Sequence, residues 1–220
     1  MIPGSPGAAE SAATEKLLAV MRLRDPALAD HGVHTAHIAA ALAAELGLDR
    51  EECDLVYLGA LLHDVGRLGI PESVLWKPSG LDRTEWGEIR THPENGHRLV
   101  ADIAARDVAA CVLYHHERVD AEGYPFGIGL RTLPLAVRIV QVADAYDAMT
   151  SDRPYQGPLP VSTALAELRR CAIGQFDAEV VATLGRLLAK VDPVVRTVTR
   201  STGADVLPAD PFGVGLRVAG

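Results

Sequence analysis

His63 and Asp64 close the apolar run LGALL, His115 and His116 stand side by side after CVLY, and Asp144 sits inside IVQVADAYDAM. His34 lies in an Ala-rich stretch and His92 at the THPENG break. An aspartate amid Val, Ala and Tyr is costly to bury unless it is paired or bound to a cation. The same holds for Asp64. Imidazole plus carboxylate without thiolate suits Mn, Fe, Zn, Co or Ni better than Ca or Mg. Five histidines and two aspartates exceed what one mononuclear site can use. Neighbouring residues on a helix point about 100° apart. The His115/His116 pair therefore fits two ions roughly 3.5–4 Å apart, each addressed by one neighbour, or bridged by one aspartate. His31, His37 and His97 are read as ordinary structural histidines, and Trp76 and Trp86 as packing residues.

The elements that must position these side chains read as helices. Residues 1–13 are Gly, Pro, Ala and Ser with little to bury, which predicts a flexible tail followed by a short helix from Thr14. Asp25 caps the next helix with Pro26 at its first position, and Gly47 ends it. Asp49 caps REECDLVYLGALLHDVG, where apolar residues recur at helical spacing. GIPESVLWKPSG reads as a loop with one helical turn. A helix from Thr84 is interrupted at Pro93, and another from Asp107 to Val119 carries the histidine pair. DAEGYPFGIGLRT is a Gly-rich loop. Pro134 opens an apolar helix to Thr150, and two more follow at Pro160–Ala172 and Asp177–Lys190. The expected fold is all-α, one domain at 14–192 with seven or more helices, and a C-terminal extension at 193–220.

The bulk composition narrows the function classes. The 220 residues are 48% hydrophobic and only 5% aromatic, which favours helices over strands. A net charge of -8 disfavours a nucleic-acid polymer or an anionic membrane as partner. An anionic substrate then needs concentrated local positive charge, most simply metal ions. No apolar run reaches the ~20 residues that span a bilayer. No basic leader precedes an apolar run at the start, so no secretion signal is expected. Cys53, Cys111 and Cys171 form no CxxC pair and read as thiols in a reducing cytoplasm.

The motifs HDVGRLGIP, HHERVDAEGYP and ADAYDAMTSDRPY, in this order, resemble the HD-GYP family, a branch of the HD-domain metal-dependent phosphohydrolases. The match runs from about Asp30 to Val181. It implies an all-helical bundle of the HD-domain phosphohydrolase type with two or three divalent ions, Fe or Mn first. The implied activity is hydrolysis of the bacterial second messenger cyclic di-GMP to the linear dinucleotide or GMP. Carried over by residue, the pattern makes His34, His63, Asp64, His92, His115, His116 and Asp144 metal ligands, with Asp64 bridging. Asp30 takes the slot of the carboxylate that holds a third ion in trimetal relatives. Arg67 stands where relatives have Lys, and Arg153 aligns with a residue that grips a substrate phosphate. Gln156 replaces a residue that is basic in many members. Relatives usually carry DGxGYP, whereas Ala121 stands here at the first glycine and limits positive φ.

The mechanism that follows has cations lowering the pKa of a bridging water to give hydroxide near pH 7, while Asp64 and Arg67 serve catalysis. Arg67 and Arg153 donate to phosphates, and Tyr124 stacks on or hydrogen-bonds to a base or ribose. Asp147, one turn after Asp144, backs a ligand histidine, and Glu117 is read in a similar supporting role. The expected location is cytoplasmic. Alternatives are another cyclic dinucleotide or nucleotide as substrate, or a weakly active cyclic di-GMP-binding regulator. Signalling-protein partners and a homodimer, through the face from Leu165 to Cys171, are compatible with these features.

Overall fold

Alanine-rich, well-capped segments make this chain helical. The computed structural model describes residues 8–152 and 157–191, and among these it has ten α-helices, one 3-10 helix and no strand. They are α1 (Ala8–Arg24), α2 (Pro26–Glu45), α3 (Arg50–Leu62), the 3-10 helix Val65–Gly69, α4 (Glu72–Leu75), α5 (Arg83–Ile89), α6 (His92–Val100), α7 (Arg106–Tyr114), α8 (Leu135–Thr150), α9 (Val161–Cys171) and α10 (Ala178–Val191). Among the described residues no helix is long and apolar enough to cross a membrane.

The caps explain most boundaries. Asp25 accepts from the N–H of Leu28, and Pro26 opens α2. At the other end Gly47 adopts φ +86°, and the N–H groups of Gly47 and Leu48 donate to Ala44 and Ala43. These two bonds are a Schellman stop. Asp49 and Glu52 form a reciprocal capping box on α3, and Asp82 with Glu85 does the same on α5.

Three expected boundaries are corrected. Helix α1 starts at Ala8, inside the stretch read as a tail, because four alanines between residues 8 and 13 favour helix. The break before His92 falls at Arg90–Thr91, and Pro93 lies in the first turn of α6, where its missing N–H costs nothing. Helix α7 ends at Tyr114, so His115 caps it and His116 lies beyond it. The pair is therefore separated by a helix end and not by the helical twist. The expected extension at 193–220 lies outside the described residues.

Helix α8 is the hub. Val137, Ile139, Val140, Val142 and Ala143 are all fully buried, as expected of a helix with packing partners on several sides. It packs on α2, α3, α7 and α9. Its polar residues Gln141, Asp144 and Asp147 recur every third position and so share one face. A larger core cluster gathers α2, α3, α8, α9 and α10, and a smaller one holds Met21, Leu28, Leu62, Val65 and Val112. Leu165 and Leu168 belong to the chain's own core, so they are not free to face a second copy.

Glycine lets the backbone converge on the site. A Cβ on Gly66 would lie 1.9 Å from the carbonyl oxygen of His92 and 2.4 Å from the N of Gly96. Both obstacles are backbone, so no side-chain rotation relieves them. This contact seats the 3-10 helix against α6 and brings His92 beside Asp64. Gly66→Ala is expected to cost about 3 kcal/mol or more in urea unfolding, since it overpacks a backbone contact. Retained wild-type stability would show that the approach is not needed.

Candidate metal centre

Three buried histidines are oriented in the same way. His63 caps α3 and places Nδ1 2.6 Å from the carbonyl of Ala60. His92 Nδ1 lies 2.7 Å from Ile89 O, and His115 Nδ1 lies 3.0 Å from Val112 O. Each ring is tied to a carbonyl three residues back. Only an N–H can be donated to a carbonyl, so Nδ1 carries the proton and Nε2 presents a lone pair. Those lone pairs converge: His92 Nε2 and His115 Nε2 are 3.0 Å apart, and both point toward Asp64.

Asp64 lies at the centre. Its Oδ1 is 3.2 Å from His92 Nε2 and 3.7 Å from His115 Nε2, while Oδ2 is 3.5 Å from His63 Nε2. Arg67 Nε is 2.9 Å from Oδ1, an ion-pair distance without hydrogen-bond alignment. Burial opposes the charge on Asp64, yet Arg67 and His63 hold its carboxyl well below the usual range. Burial and the charges of its neighbours push His115 far below the ordinary histidine range. Burial and then His92 bring His116 down to about 3. His115 and His116 are thus held neutral beside an ionised Asp64, as metal ligands must be, whereas Asp64 and Asp144 raise His63 against its burial.

The second half of the site is carried by α2 and α8. His31 Nε2 lies 3.0 Å from Asp144 Oδ1, and its Nδ1 lies 2.6 Å from Asp147 Oδ2. Ser151 Oγ donates to the other Asp147 oxygen at 2.8 Å. Burial opposes the His31 charge, but the bonds with Asp144 and Asp147 outweigh it and raise the pKa to about 9. The same His31 bond, with His63 beside it, keeps Asp144 ionised against its burial. Two groups of ligand atoms lie close enough to hold an ion: His31, His63 and Asp64, and Asp64, His92, His115 and His116. Asp64 is common to both. His63 Nε2 and Asp64 Oδ1 are buried with no hydrogen-bond partner, so a cation fits what these residues offer.

His34 and Asp30 are corrected. The His34 ring is 62% exposed and its Nδ1 stays 3.8 Å from Asp147, outside both groups. The Asp30 carboxylate is 61% exposed and faces Arg22 at 3.5 Å. The residue four places before His31 is Ala27, which has no ligating atom. His31, read from the sequence as structural, takes the position given to His34. The helical wheel carried the signal: His31 borders the buried stripe of Leu28, Thr35, Ala39 and Leu42, and His34 lies about 60° further round.

Several supporting roles also differ from expectation. Glu117 is buried and accepts from the N–H of Phe126 at 2.7 Å and of Ile128 at 3.0 Å, so it holds the Gly-Tyr-Pro loop and not a histidine. Tyr124 stacks on His116 with ring centroids 4.7 Å apart, and the Arg90 guanidinium sits 5.1 Å from the Tyr124 centroid. The ring face turned to His116 is thus taken. A Cβ on Gly123 would meet Glu117 Cα at 2.5 Å, so this glycine lets the loop lie against the histidine segment. Gln141, unnoticed in the sequence, donates to Glu117 O at 2.7 Å and Tyr114 O at 3.2 Å, pinning the segment that carries both histidines. Arg153 and Gln156 lie outside the described residues. Trp76 is 56% exposed and so is not a packing residue, while Trp86 borders the cleft beside Arg90.

Comparison with known proteins places this geometry in a family. The family model described as HD domain matches residues 15–180. The chain belongs to the HD-domain family. Among curated HD-domain relatives, the cyclic di-GMP phosphodiesterase response regulator RpfG of Xanthomonas campestris is 38% identical over 161 residues, 72% of this chain and 43% of that protein. The 3'3'-cGAMP-specific phosphodiesterase 3 of Vibrio cholerae is 30% identical over 172 residues, 77% of this chain and 37% of that protein. The chain thus spans about two fifths of the length of these relatives. An HD-GYP-type protein from Bdellovibrio bacteriovorus has the same fold, with TM-score 0.61 and 23% identity over 82% of this chain and 62% of that one. HD domains are metal-dependent, in keeping with the His/Asp cluster of this chain.

Two predictions follow from the geometry. His31→Ala lowers the metal content measured by elemental analysis, whereas His34→Ala leaves it unchanged; the reverse pattern would restore the sequence-based assignment. Ala121 adopts φ +66°, a left-handed conformation costing an L-residue about 1–2 kcal/mol. Glycine removes that cost but adds about 0.4–1 kcal/mol of chain entropy. Ala121→Gly therefore stabilises the chain by roughly 0.5–1 kcal/mol in denaturant titration.

Proposed function

We propose that this chain is a metal-dependent phosphodiesterase that hydrolyses a cyclic dinucleotide, cyclic di-GMP first, in the cytoplasm. The observation that carries the reading is the convergence of His63, His92 and His115 lone pairs on the buried Asp64 carboxylate. The identity with relatives named cyclic di-GMP phosphodiesterases supports the substrate.

Two ions are proposed. One would be held by His31, His63 and Asp64, with Asp144 beside them, and the other by Asp64, His92, His115 and His116. All these donors are imidazole or carboxylate, and Fe or Mn suits such a set. When bound, such ions would offer positive charge to a phosphate oxygen and lower the pKa of a water. The protein's own residues do the rest. Asp147 holds His31 through Nδ1 and so aims Nε2 at the site. Tyr124 packs against His116 and restrains its ring. Arg67, 38% exposed and anchored on Asp64, has guanidinium N–H groups left to donate to a substrate phosphate. It stays protonated near neutral pH, so it binds and does not transfer a proton. The product is the linear dinucleotide or GMP.

A second reading, the same chemistry on a mixed cyclic dinucleotide, is favoured by the 30% identity to the Vibrio cholerae enzyme. Turnover assays on cyclic di-GMP and 3'3'-cGAMP separate the two.

The test is elemental analysis of anaerobically purified protein beside a cyclic di-GMP hydrolysis assay. Asp64→Ala is expected to lose bound metal and all measurable turnover, because both groups share this carboxylate. Arg67→Lys keeps the metal and substrate binding. An Asp64→Ala protein with full metal occupancy, or a metal-loaded wild type that leaves every cyclic dinucleotide intact, would overturn the proposal.

A further inference from the structure

One cleft of about 200 Å³ runs from His116 and Asp144 to the inner faces of α8 and α9. Only its first part belongs to the metal centre. Its far part is walled by Ala145, Met149, Leu168 and Phe176, apolar surfaces of the kind that sandwich a nucleobase. Two buried polar side chains border the same space, and both offer acceptors.

Glu167 on α9 is the first. Its carboxylate accepts from Arg170 Nε at 2.9 Å and from Arg170 Nη2, and Cys171 Sγ lies 3.6 Å from Oε1. Arg170 is itself 68% exposed, so it meets Glu167 from the solvent side. The bond with Arg170 holds the Glu167 carboxyl below its ordinary range, so it enters the cleft as an anion. Gln141 is the second. Its Nε2 is committed to the carbonyls of Glu117 and Tyr114, which fixes the amide's orientation. Its Oε1 is buried and has no hydrogen-bond partner. A buried acceptor left unpaired costs about 1–3 kcal/mol, and a ligand N–H would recover it.

Acceptors between apolar walls select among bases. The Watson–Crick edge of guanine presents two adjacent donors, N1–H and N2–H2, whereas adenine presents one donor, N6–H2, beside the N1 lone pair. A carboxylate can accept from both donors of the first edge at once, but on the second its other oxygen faces a lone pair. Pockets that enclose a whole drug-sized ligand run about 300–1,000 Å³, so this smaller cleft suits one base while the rest of the ligand remains outside.

We infer that the far part of the cleft is a guanine subsite, with the Glu167 carboxylate accepting from the N1–H and N2–H2 edge of the base. The inference rests on the cyclic-dinucleotide reading above and adds a base preference to it.

The test measures binding with ligands that resist turnover. Metal-loaded wild-type protein, Glu167→Gln and Arg170→Gln are titrated calorimetrically with hydrolysis-resistant phosphorothioate analogues of cyclic di-GMP and cyclic di-AMP. Wild type is expected to favour cyclic di-GMP by roughly tenfold or more, the worth of one good bidentate base contact. Glu167→Gln is expected to lose most of that ratio by weakening cyclic di-GMP alone. Arg170→Gln removes the outer ion pair but keeps the carboxylate, so it retains the ratio. A wild type without preference, a Glu167→Gln loss equal for both ligands, or the same loss of ratio in Arg170→Gln would each overturn the inference. Hydrolysis of bis(p-nitrophenyl) phosphate by the wild type tells the two failures apart. If that ester is cleaved but neither dinucleotide binds, the guanine subsite falls and metal-dependent phosphodiester cleavage stands. If it is not cleaved either, the phosphodiesterase reading falls with it.

Discussion

A lone pair cannot face another lone pair at 3.0 Å in a buried site without something positive nearby, and His92 and His115 are held in that position by their own backbones. Each Nδ1–H is spent on a carbonyl three residues earlier, so the rings cannot exchange roles without breaking a buried bond. Asp64 adds a buried anion whose only cationic side-chain partner at ion-pair distance among the described residues, apart from histidines, is Arg67. Satisfying such a cluster by protonation would place several like charges together in a low-dielectric interior. Satisfying it with divalent cations requires no proton and uses every lone pair. Metal binding in such a site is also folding free energy, because the unfolded chain does not hold the ligands together. The rest of the structure can be understood as what is needed to keep these rings where they are.

That support comes from two kinds of contact. Gly66 and Gly96 remove side chains so that the 3-10 helix meets α6 at backbone distance, which sets His92 against Asp64. Gln141 and Asp147 instead add polar side chains to the otherwise apolar α8. One binds the end of α7 through Tyr114 and Glu117, and the other binds His31 on α2. With Asp144 between them, a single helix face ties together the three segments that carry His31, Asp144 and the His115/His116 pair. Burying three polar residues on a core helix is tolerated because each has a specific partner.

Much of this was legible in the residues alone, and the failures have physical causes. Helix α2 announced its start with Asp25-Pro26 and its end with Gly47, because caps act locally and leave residue-level marks. His63, Asp64 and Asp144 stood out because ionisable groups beside apolar runs are costly without partners, and His92 because it stands at the THPENG break. His31 and His34 lie three positions apart on α2, and single residues do not separate them; the helical wheel does, since His31 borders the apolar stripe that packs inward and His34 lies outside it. The end of α7 at Tyr114 carried no mark, since neither a glycine nor a proline stops it. Gln141 was invisible for a related reason. Glutamine is a good helix former, and nothing in its neighbours tells that its amide binds carbonyls twenty-four and twenty-seven residues away in sequence.

The electrostatics of the whole chain and of the site run in opposite directions. A net charge of -8 repels a phosphate diester at long range. Within a Debye length of about 8 Å at physiological salt, local charges decide instead. Arg67 stands at the metal centre and Arg90 lines the cleft, while Arg118, also on the lining, is already paired with Asp120, so the local positive charge rests on Arg67 and Arg90. Arg90 is placed over Tyr124, where a guanidinium gains from the face of the ring. Further in, the sign changes again at Glu167. A ligand with anionic phosphates at one end and hydrogen-bond donors on its base at the other matches that sequence of charges, whereas a simple phosphate matches only its first part. The cleft therefore runs from a cationic side chain at the metal centre to a carboxylate at its far end, an order of charges that the metal ligands alone do not supply.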